Sequence, residues 1–419
     1  MIPYADPSYF LLLLYPLVVL VGLGLAGRLG RTAVLATSVA VVVFQYGNPL
    51  GDAAAGLRTL AIVGLYVAGS IAVVQAYAAR RLRHPQTRAF PVAIGLALIP
   101  LVVTKGAPLL QRAFDASGAL AAGAPPAGAG LPRGFVDSLG FLGMSYMTLR
   151  VIDVLIVVHD GVVTTVPRAA DLASYLLFVP TISAGPIDRF RHFTSGLEAL
   201  PRSRREYVRD IETGIHRIAQ GLLYKFIIAT MIDTHLLTPL TTAPGVLATI
   251  GYMYAYSLYL FFDFAGYSAF AIGVGHFFGM TVPENFRAPF LARNFREIWD
   301  RWHITLSWWL RDHVYMRFML TAARRRWFRG NRVRAHHVAL LLTMALMGCW
   351  HGLAPQYLIY GLYQGGMLVL YDVVERWGAR RGIGAQSRLA HVGLVLLTAN
   401  LFCFGLLIFS GRLFAMPAP

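Results

Sequence analysis

Two histidines in unusual company hold most of the chemistry in this sequence. His351 stands in Met347-Gly348-Cys349-Trp350-His351-Gly352, within residues 338–371, a stretch of 34 residues without Asp, Glu, Lys or Arg. If a membrane span starts near Val338, about 13 residues of rise carry this imidazole roughly 20 Å into a bilayer. An ionisable side chain at that depth is costly and is retained mainly where it serves a function. Imidazole is also the side chain that takes and returns a proton near neutral pH. The plainer alternative is a histidine bonded only to a neighbouring helix. Gly348 and Gly352 would let a substrate or another backbone come close.

The second histidine, His303, lies in residues 294–312. On a helix Arg296, Asp300, His303, Ser307 and Arg311 recur at steps of four, three, four and four, giving one polar stripe, with Trp299, Trp302, Leu306, Trp309 and Leu310 opposite. The spacing predicts ion pairs between Arg296 and Asp300 and between Glu297 and Arg301. Two placements follow: an interfacial helix whose tryptophans face lipid, or one that dips inward so that His303 faces a cavity. Asp263, among aromatic and small residues, needs an internal partner. Asp188 and Arg189 follow Pro180, Gly185 and Pro186, which cannot all occupy one regular helix, so a break is expected there.

Other signals are weaker. Gly143-Met144-Ser145-Tyr146-Met147 lacks the second glycine of a serine nucleophile elbow. Cys349 and Cys403 are too few for a disulfide framework or a zinc site and read as small buried hydrophobes; no metal is expected. The string Gly22, Gly24, Gly27 has no strand before it and reads as helix packing.

The elements that must position these residues are set by lipid. The chain has 419 residues, 57% hydrophobic and 14% charged, with a mean hydropathy of +0.57. A spanning helix takes about 20 apolar residues. Charge-free windows of that order occur at residues 7–27, 32–51, 59–79, 264–283 and 389–411, and 338–371 holds one span and the start of another. With shorter, interrupted windows, roughly 10 to 12 spans are expected. The expected organisation is a single membrane domain over residues 1–419: N-terminal spans and an external loop (115–132) within 1–135, then a catalytic region from 136 with its motif helix at 294–312. The net charge of +17 does not call for nucleic acid, because the arginines gather in short loops: Arg80, Arg81, Arg83 and Arg88; Arg202, Arg204, Arg205 and Arg209; Arg324, Arg325, Arg326, Arg329, Arg332 and Arg334. By the positive-inside rule these loops are cytoplasmic. The N-terminal segment has Asp6 and no basic residue, so its first helix is expected to be a retained span with the N-terminus outside.

Trp299-Asp300-Arg301-Trp302-His303, followed by Ser307, Trp308 and Arg311-Asp312, and then Trp350-His351-Gly352, resemble the two signature regions of the membrane-bound O-acyltransferases. Within that family, Phe141-Leu142-Gly143-Met144-Ser145-Tyr146, the stretch from Ser183 to Phe190, Phe261-Phe262-Asp263-Phe264-Ala265-Gly266-Tyr267-Ser268 and Ile408-Phe409-Ser410-Gly411 resemble the branch that carries out D-alanyl transfer to teichoic acid. Alginate and peptidoglycan O-acetyltransferases share the two signature elements, so acetyl transfer is the alternative. The resemblance implies an all-α polytopic ring of helices around a thin centre, where a cytoplasmic tunnel meets an extracellular funnel at the catalytic histidine. It implies His351 as the catalytic base and His303 as the second polar position, donating to the oxyanion or orienting the acyl group. Trp350, Ser307, Asp300, Arg301, Asp263, Asp188 and Arg189 are then candidates to line the tunnel or position substrate. The implied donor is a phosphopantetheine thioester on a small acidic carrier protein, with no tightly bound cofactor. The implied acceptor is an envelope glycan or small membrane protein outside the bacterial cytoplasmic membrane. Arg324, Arg325 and Arg326, with Phe318, Met319 and Leu320, are either a positive-inside cluster or a docking patch for that carrier. A transporter, the competing class, predicts a two-fold repeat in hydropathy, which the sequence lacks.

Overall fold

The computed structural model describes residues 3–47, 52–120, 140–382 and 388–414. These residues are helical, with one isolated β-bridge and no strand, an all-α polytopic membrane protein. Among the described residues five helices are long and apolar enough to cross a membrane: Ser8–Leu25, Ala53–Arg83, Val246–Phe277, Arg332–His351 and Leu389–Ser410. Two shorter apolar helices are Arg31–Gly47 and Phe90–Gly106. The apolar window at 264–283 underestimates its helix. That helix runs from Val246 to Phe277 straight through Asp263, because the acid is paired by Lys225, 38 residues away in sequence. Of the expected external loop, residues 115–120 belong to the helix Phe90–Leu120, and the rest lies outside the described residues.

The chain forms two compact units, one of Met1–Ile218 with Phe270–Val282, the other of Ala219–Ala269 with Pro283–Pro419. In the first, α1 (Pro7–Leu25), α2 (Arg31–Gly47), α3 (Ala53–Arg83) and α4 (Phe90–Leu120) precede α5 (Met144–His159), α6 (Ala169–Leu176), α7 (Phe190–Glu198) and α8 (Arg204–Gly221). The break anticipated around Pro180 is present: after α6 only a single 3₁₀ turn, Val179–Thr181, intervenes before α7. A helix end leaves carbonyls without partners, and a buried arginine takes them. Arg150, 1% exposed, donates from Nη1 to the carbonyls of Tyr175 (2.7 Å) and Leu176 (3.2 Å) and from Nη2 to that of Thr181 (2.6 Å). Asp153 accepts from the Phe190 N–H at 2.8 Å, which starts α7, and from Arg189 at 2.9 Å. Gly143 turns the chain into α5 with φ +91°, and a Cβ there would sit 2.3 Å from the Ile182 carbonyl oxygen, so only glycine fits.

In the second unit, π-helical turns at Leu222–Ala229 and Asp233–Leu237 precede α9 (Val246–Phe277), whose residues from Phe270 onward belong to the first unit. Then come the short helices α10 (Phe295–Trp299) and α11 (Ile304–Leu310), a π turn Arg311–Tyr315, α12 (Met316–Arg324), α13 (Arg332–His351), α14 (Pro355–Arg380) and α15 (Arg388–Ser410). The charge-free window thus holds most of α13 and α14, which form a tight hairpin. A Cβ on Gly348 would lie 2.1 Å from the Tyr357 carbonyl oxygen, and one on Gly361 would lie 2.3 Å from that of Met344. Glycine there lets the two backbones touch.

Candidate active site

Residues 294–312 do not form one helix. α10 stops at Trp299, His303 adopts left-handed backbone (φ 45°, ψ 48°), and α11 starts at Ile304. Histidine is among the few residues that visit this region with any frequency. The break is pinned from outside the segment. Arg287 N–H donates to the Arg301 carbonyl (2.9 Å) and Ile304 N–H to the Asn285 carbonyl (3.0 Å), flanking the bridge between Phe286 and Trp302. These non-local bonds outcompete the continuous ladder that the periodicity predicts. The lipid-facing placement fails with it for two of the three tryptophans: Trp302 and Trp309 are 5% and 4% exposed, and Trp299 is half-buried. Trp302 packs against Phe286 and Phe402, each with ring centroids 5.2 Å away.

His303 therefore points inward, at 4% exposure. Its ring meets Phe264 edge-on at 4.9 Å and lies 6.4 Å from Trp350. Trp350 is 4.9 Å from His351, which in turn is 5.0 Å from Phe409. The two histidines thus flank one indole. Burial holds His303 well below the usual imidazole range, at about 3, with the neighbouring His351 as a smaller cause. His351 is not in mid-span: it is the last residue of α13, half-buried, just before the reversal into α14.

The remaining stripe residues reconvene despite the broken helix. Arg296, Asp300, Ser307 and Arg311 line one cavity of about 280 Å³, with Tyr315 and His336 among its other polar walls. The cavity backs onto the histidine through Ser307, whose hydroxyl donates to the His303 carbonyl at 3.2 Å. Of the two ion pairs read from spacing, Glu297 does face Arg301, at 3.8 Å. Arg296 instead reaches Glu375 on α14, at 3.1 Å, since a tertiary partner replaces the local one. Tyr315, His336 and Asp372 form a chain along the wall, Tyr315 Oη 2.7 Å from His336 Nδ1 and His336 Nε2 3.5 Å from Asp372. Asp372 also accepts from His337 (2.8 Å) and Arg376 (2.6 Å).

Several sequence candidates are not among the residues that line this cavity. Asp263 pairs with Lys225. Asp188 and Arg189 belong to the first unit, where Asp188 Oδ1 is 2.7 Å from His192 Nδ1 and Arg189 is bonded to Asp153. Burial raises Asp188, and its hydrogen bond raises His192. Phe318 on α12 packs against Trp327 at 5.7 Å, Met319 is half-buried, and Arg324, Arg325 and Arg326 are exposed beside the exposed Leu320. Cys349 and Cys403 are both free. Among the described residues no group of three or more His, Cys, Asp or Glu could hold a metal ion. Asn285 carries no local signal and was not legible. Phe409 was legible only as part of a resembling segment.

The membrane-bound O-acyltransferase family matches residues 160–410. Over 416 residues the chain is 34% identical to the teichoic acid D-alanyltransferase of Bacillus subtilis (strain 168), covering 99% of each chain. It is 32% identical to that of Lacticaseibacillus rhamnosus, covering 98% of this chain and 97% of the other. The probable alginate O-acetylase of Pseudomonas aeruginosa is 31% identical over 65% of this chain and 49% of its own.

Proposed function

The chain belongs to the membrane-bound O-acyltransferase family and is an acyltransferase, and from that premise we propose that it moves a D-alanyl group to a hydroxyl of an extracytoplasmic envelope polymer. The donor is a thioester on the phosphopantetheine arm of a small acidic carrier protein, presented on the cytoplasmic side of the bacterial cytoplasmic membrane. No resident cofactor takes part. The observation that carries this reading is the placement of His303 and His351 about one indole, with a polar-walled cavity backing onto the first. Likeness over nearly the full length to D-alanyltransferases, against partial likeness to an acetylase, favours D-alanyl over acetyl.

His351 takes the proton of the attacking hydroxyl as its oxygen bonds the thioester carbon, and returns a proton to the departing thiolate as the C–S bond breaks. His303 orients the reacting groups. A protein passage also spares the aminoacyl ammonium a crossing of hydrocarbon, which costs about 3 kcal/mol even on insertion-derived scales. Arg296, Asp300, Ser307 and Arg311 face the incoming arm. Trp350 separates the two histidines, while Arg301 and the Asp263 pair with Lys225 hold the surrounding helices. Asp188 and Arg189 are assigned to the scaffold. Phe318, Met319, Arg324, Arg325 and Arg326 form the docking patch for the carrier, and the N-terminus lies outside.

The test is incubation of membranes with radiolabelled D-alanyl carrier, comparing wild type with His351→Ala. Label should appear in a wild-type envelope fraction only. Equal labelling by the variant would remove the proposal, and labelling from an acetyl thioester alone would hand the site to the acetyl reading.

A further inference from the structure

We infer that Asn285 is a positioning residue for the transfer reaction: its carboxamide oxygen holds the proton of His303 on Nδ1, leaving Nε2 as an unprotonated acceptor toward the reacting groups. His303 then receives a hydrogen bond from a substrate O–H or N–H and supplies none to the oxyanion. This rests on the reading of the site as the acyl-transfer centre, and it decides between the two roles that the sequence left open for His303.

The contacts of Asn285 fix which of its amide atoms faces the histidine. Asn285 is fully buried, and its Oδ1 lies 3.3 Å from Thr305 N, 2.9 Å from Thr305 Oγ1 and 3.2 Å from His303 Nδ1. A backbone N–H can only donate. Flipping the amide would set its NH₂ against the Thr305 N–H, two donors face to face in a buried site. The atom is therefore the oxygen, and the other end of the amide goes to Ser268 Oγ at 3.4 Å. An oxygen that only accepts makes Nδ1 of a neutral imidazole the donor. Since a neutral ring has one N–H, Nε2 carries the lone pair.

Two further observations keep the ring in that state. The left-handed backbone at His303 is locked by the Ile304 N–H on the carbonyl of the same Asn285, at 3.0 Å, so one residue sets both the turn and the tautomer. To donate from Nε2 without losing the bond to Asn285, the ring would have to be doubly protonated. Burial opposes that, and so does His351, the titratable group that faces it. Phe264 and Trp350, its ring neighbours, contribute no charge. The oxyanion must draw its donors from other groups.

Histidine ¹⁵N spectra of the purified protein, with the His303 signals assigned by their loss in His303→Gln, read the tautomer directly. Nδ1 should be protonated and Nε2 bare at neutral pH. In Asn285→Leu the proton should redistribute toward Nε2, with kcat falling roughly 10²- to 10⁴-fold, the scale seen when a catalytic histidine is left in the wrong tautomer, while KM for the carrier stays near wild type. Asn285→Asp keeps an accepting oxygen but adds negative charge, which raises the affinity of His303 for a second proton. Its acidic limb in the kcat profile should move to higher pH. A wild-type spectrum with Nε2 protonated, or an Asp variant whose profile does not move, overturns the inference. If Asn285→Leu does not fold, the wild-type spectrum and the Asp variant still decide. Wild-type membranes that transfer no acyl group would defeat the functional reading instead, leaving the spectrum to rule on the tautomer.

Discussion

Arg150 in the first unit and His303 in the second are both nearly inaccessible, at 1% and 4% exposure, yet their surroundings have little in common. Arg150 keeps its charge and spends it on two carbonyls released where α6 ends and on that of Thr181, at the end of the 3₁₀ turn that follows. Beside it Asp153 pairs with Arg189 and starts α7. His303 sits among aromatic rings with one amide oxygen on Nδ1 and is kept neutral. Where the backbone breaks, buried charge repairs it; at the proposed transfer centre, the buried ring stays uncharged. Arg150 is thus satisfied by backbone, which suits a scaffold, whereas His303 is enclosed largely by rings, which suits the role proposed for it.

That contrast can be broken most directly by exchanging the two kinds of damage. His351→Ala should lower acyl transfer by at least about 10²- to 10⁴-fold, the usual contribution of general acid–base catalysis, while thermal unfolding of the detergent-solubilised protein stays near wild type. Arg150→Met should do the opposite, destabilising by about 3 to 5 kcal/mol by stranding the carbonyls it serves. It would be read as loss of monodisperse protein, with turnover per folded molecule retained. If Arg150→Met folds well but is inactive, the division of roles is wrong.

A smaller effect sharpens the account of His303. Its folded-state value, about 3, is below the ordinary 6.5, so the unfolded chain binds the proton first. Stability from this residue is complete above the unfolded value and is lost as pH falls toward the folded one. Near pH 5 the loss is about 2 kcal/mol. Thermal unfolding at pH 7.5 and pH 5 should show a drop in wild type that is reduced in His303→Gln; identical drops would mean the ring is not held neutral. The smallest effect is expected at the surface. Reversing Arg325 and Arg326 to Glu should weaken carrier binding several-fold, more at low salt than at high, with the chemical step unchanged. Unaltered binding by titration would return these arginines to the positive-inside rule alone.

Much of this was legible along the chain because its causes are local. Hydropathy over some twenty residues marks α1, α3 and α15, and the charge-free window marks the α13–α14 hairpin with His351 in it, since lipid demands unbroken apolar helix whatever the neighbours do. The break after Pro180 follows from proline geometry. The acid at Asp263 announced its need for a partner without revealing Lys225, 38 residues away.

The sequence by itself therefore determined the class of protein and the location of most of the long apolar helices, and it singled out the two histidines that flank Trp350. Tertiary structure alone decided that residues 294–312 bend into two helices, that Trp302 and Trp309 are buried in protein, and that Arg296 reaches Glu375. The physical reason is one of range. Periodicity and apolar length are properties of neighbouring residues, whereas the turn at His303 exists because Asn285, 18 residues earlier, offers its carbonyl to Ile304 and its amide oxygen to the ring. No window along the chain contains the distance between those groups.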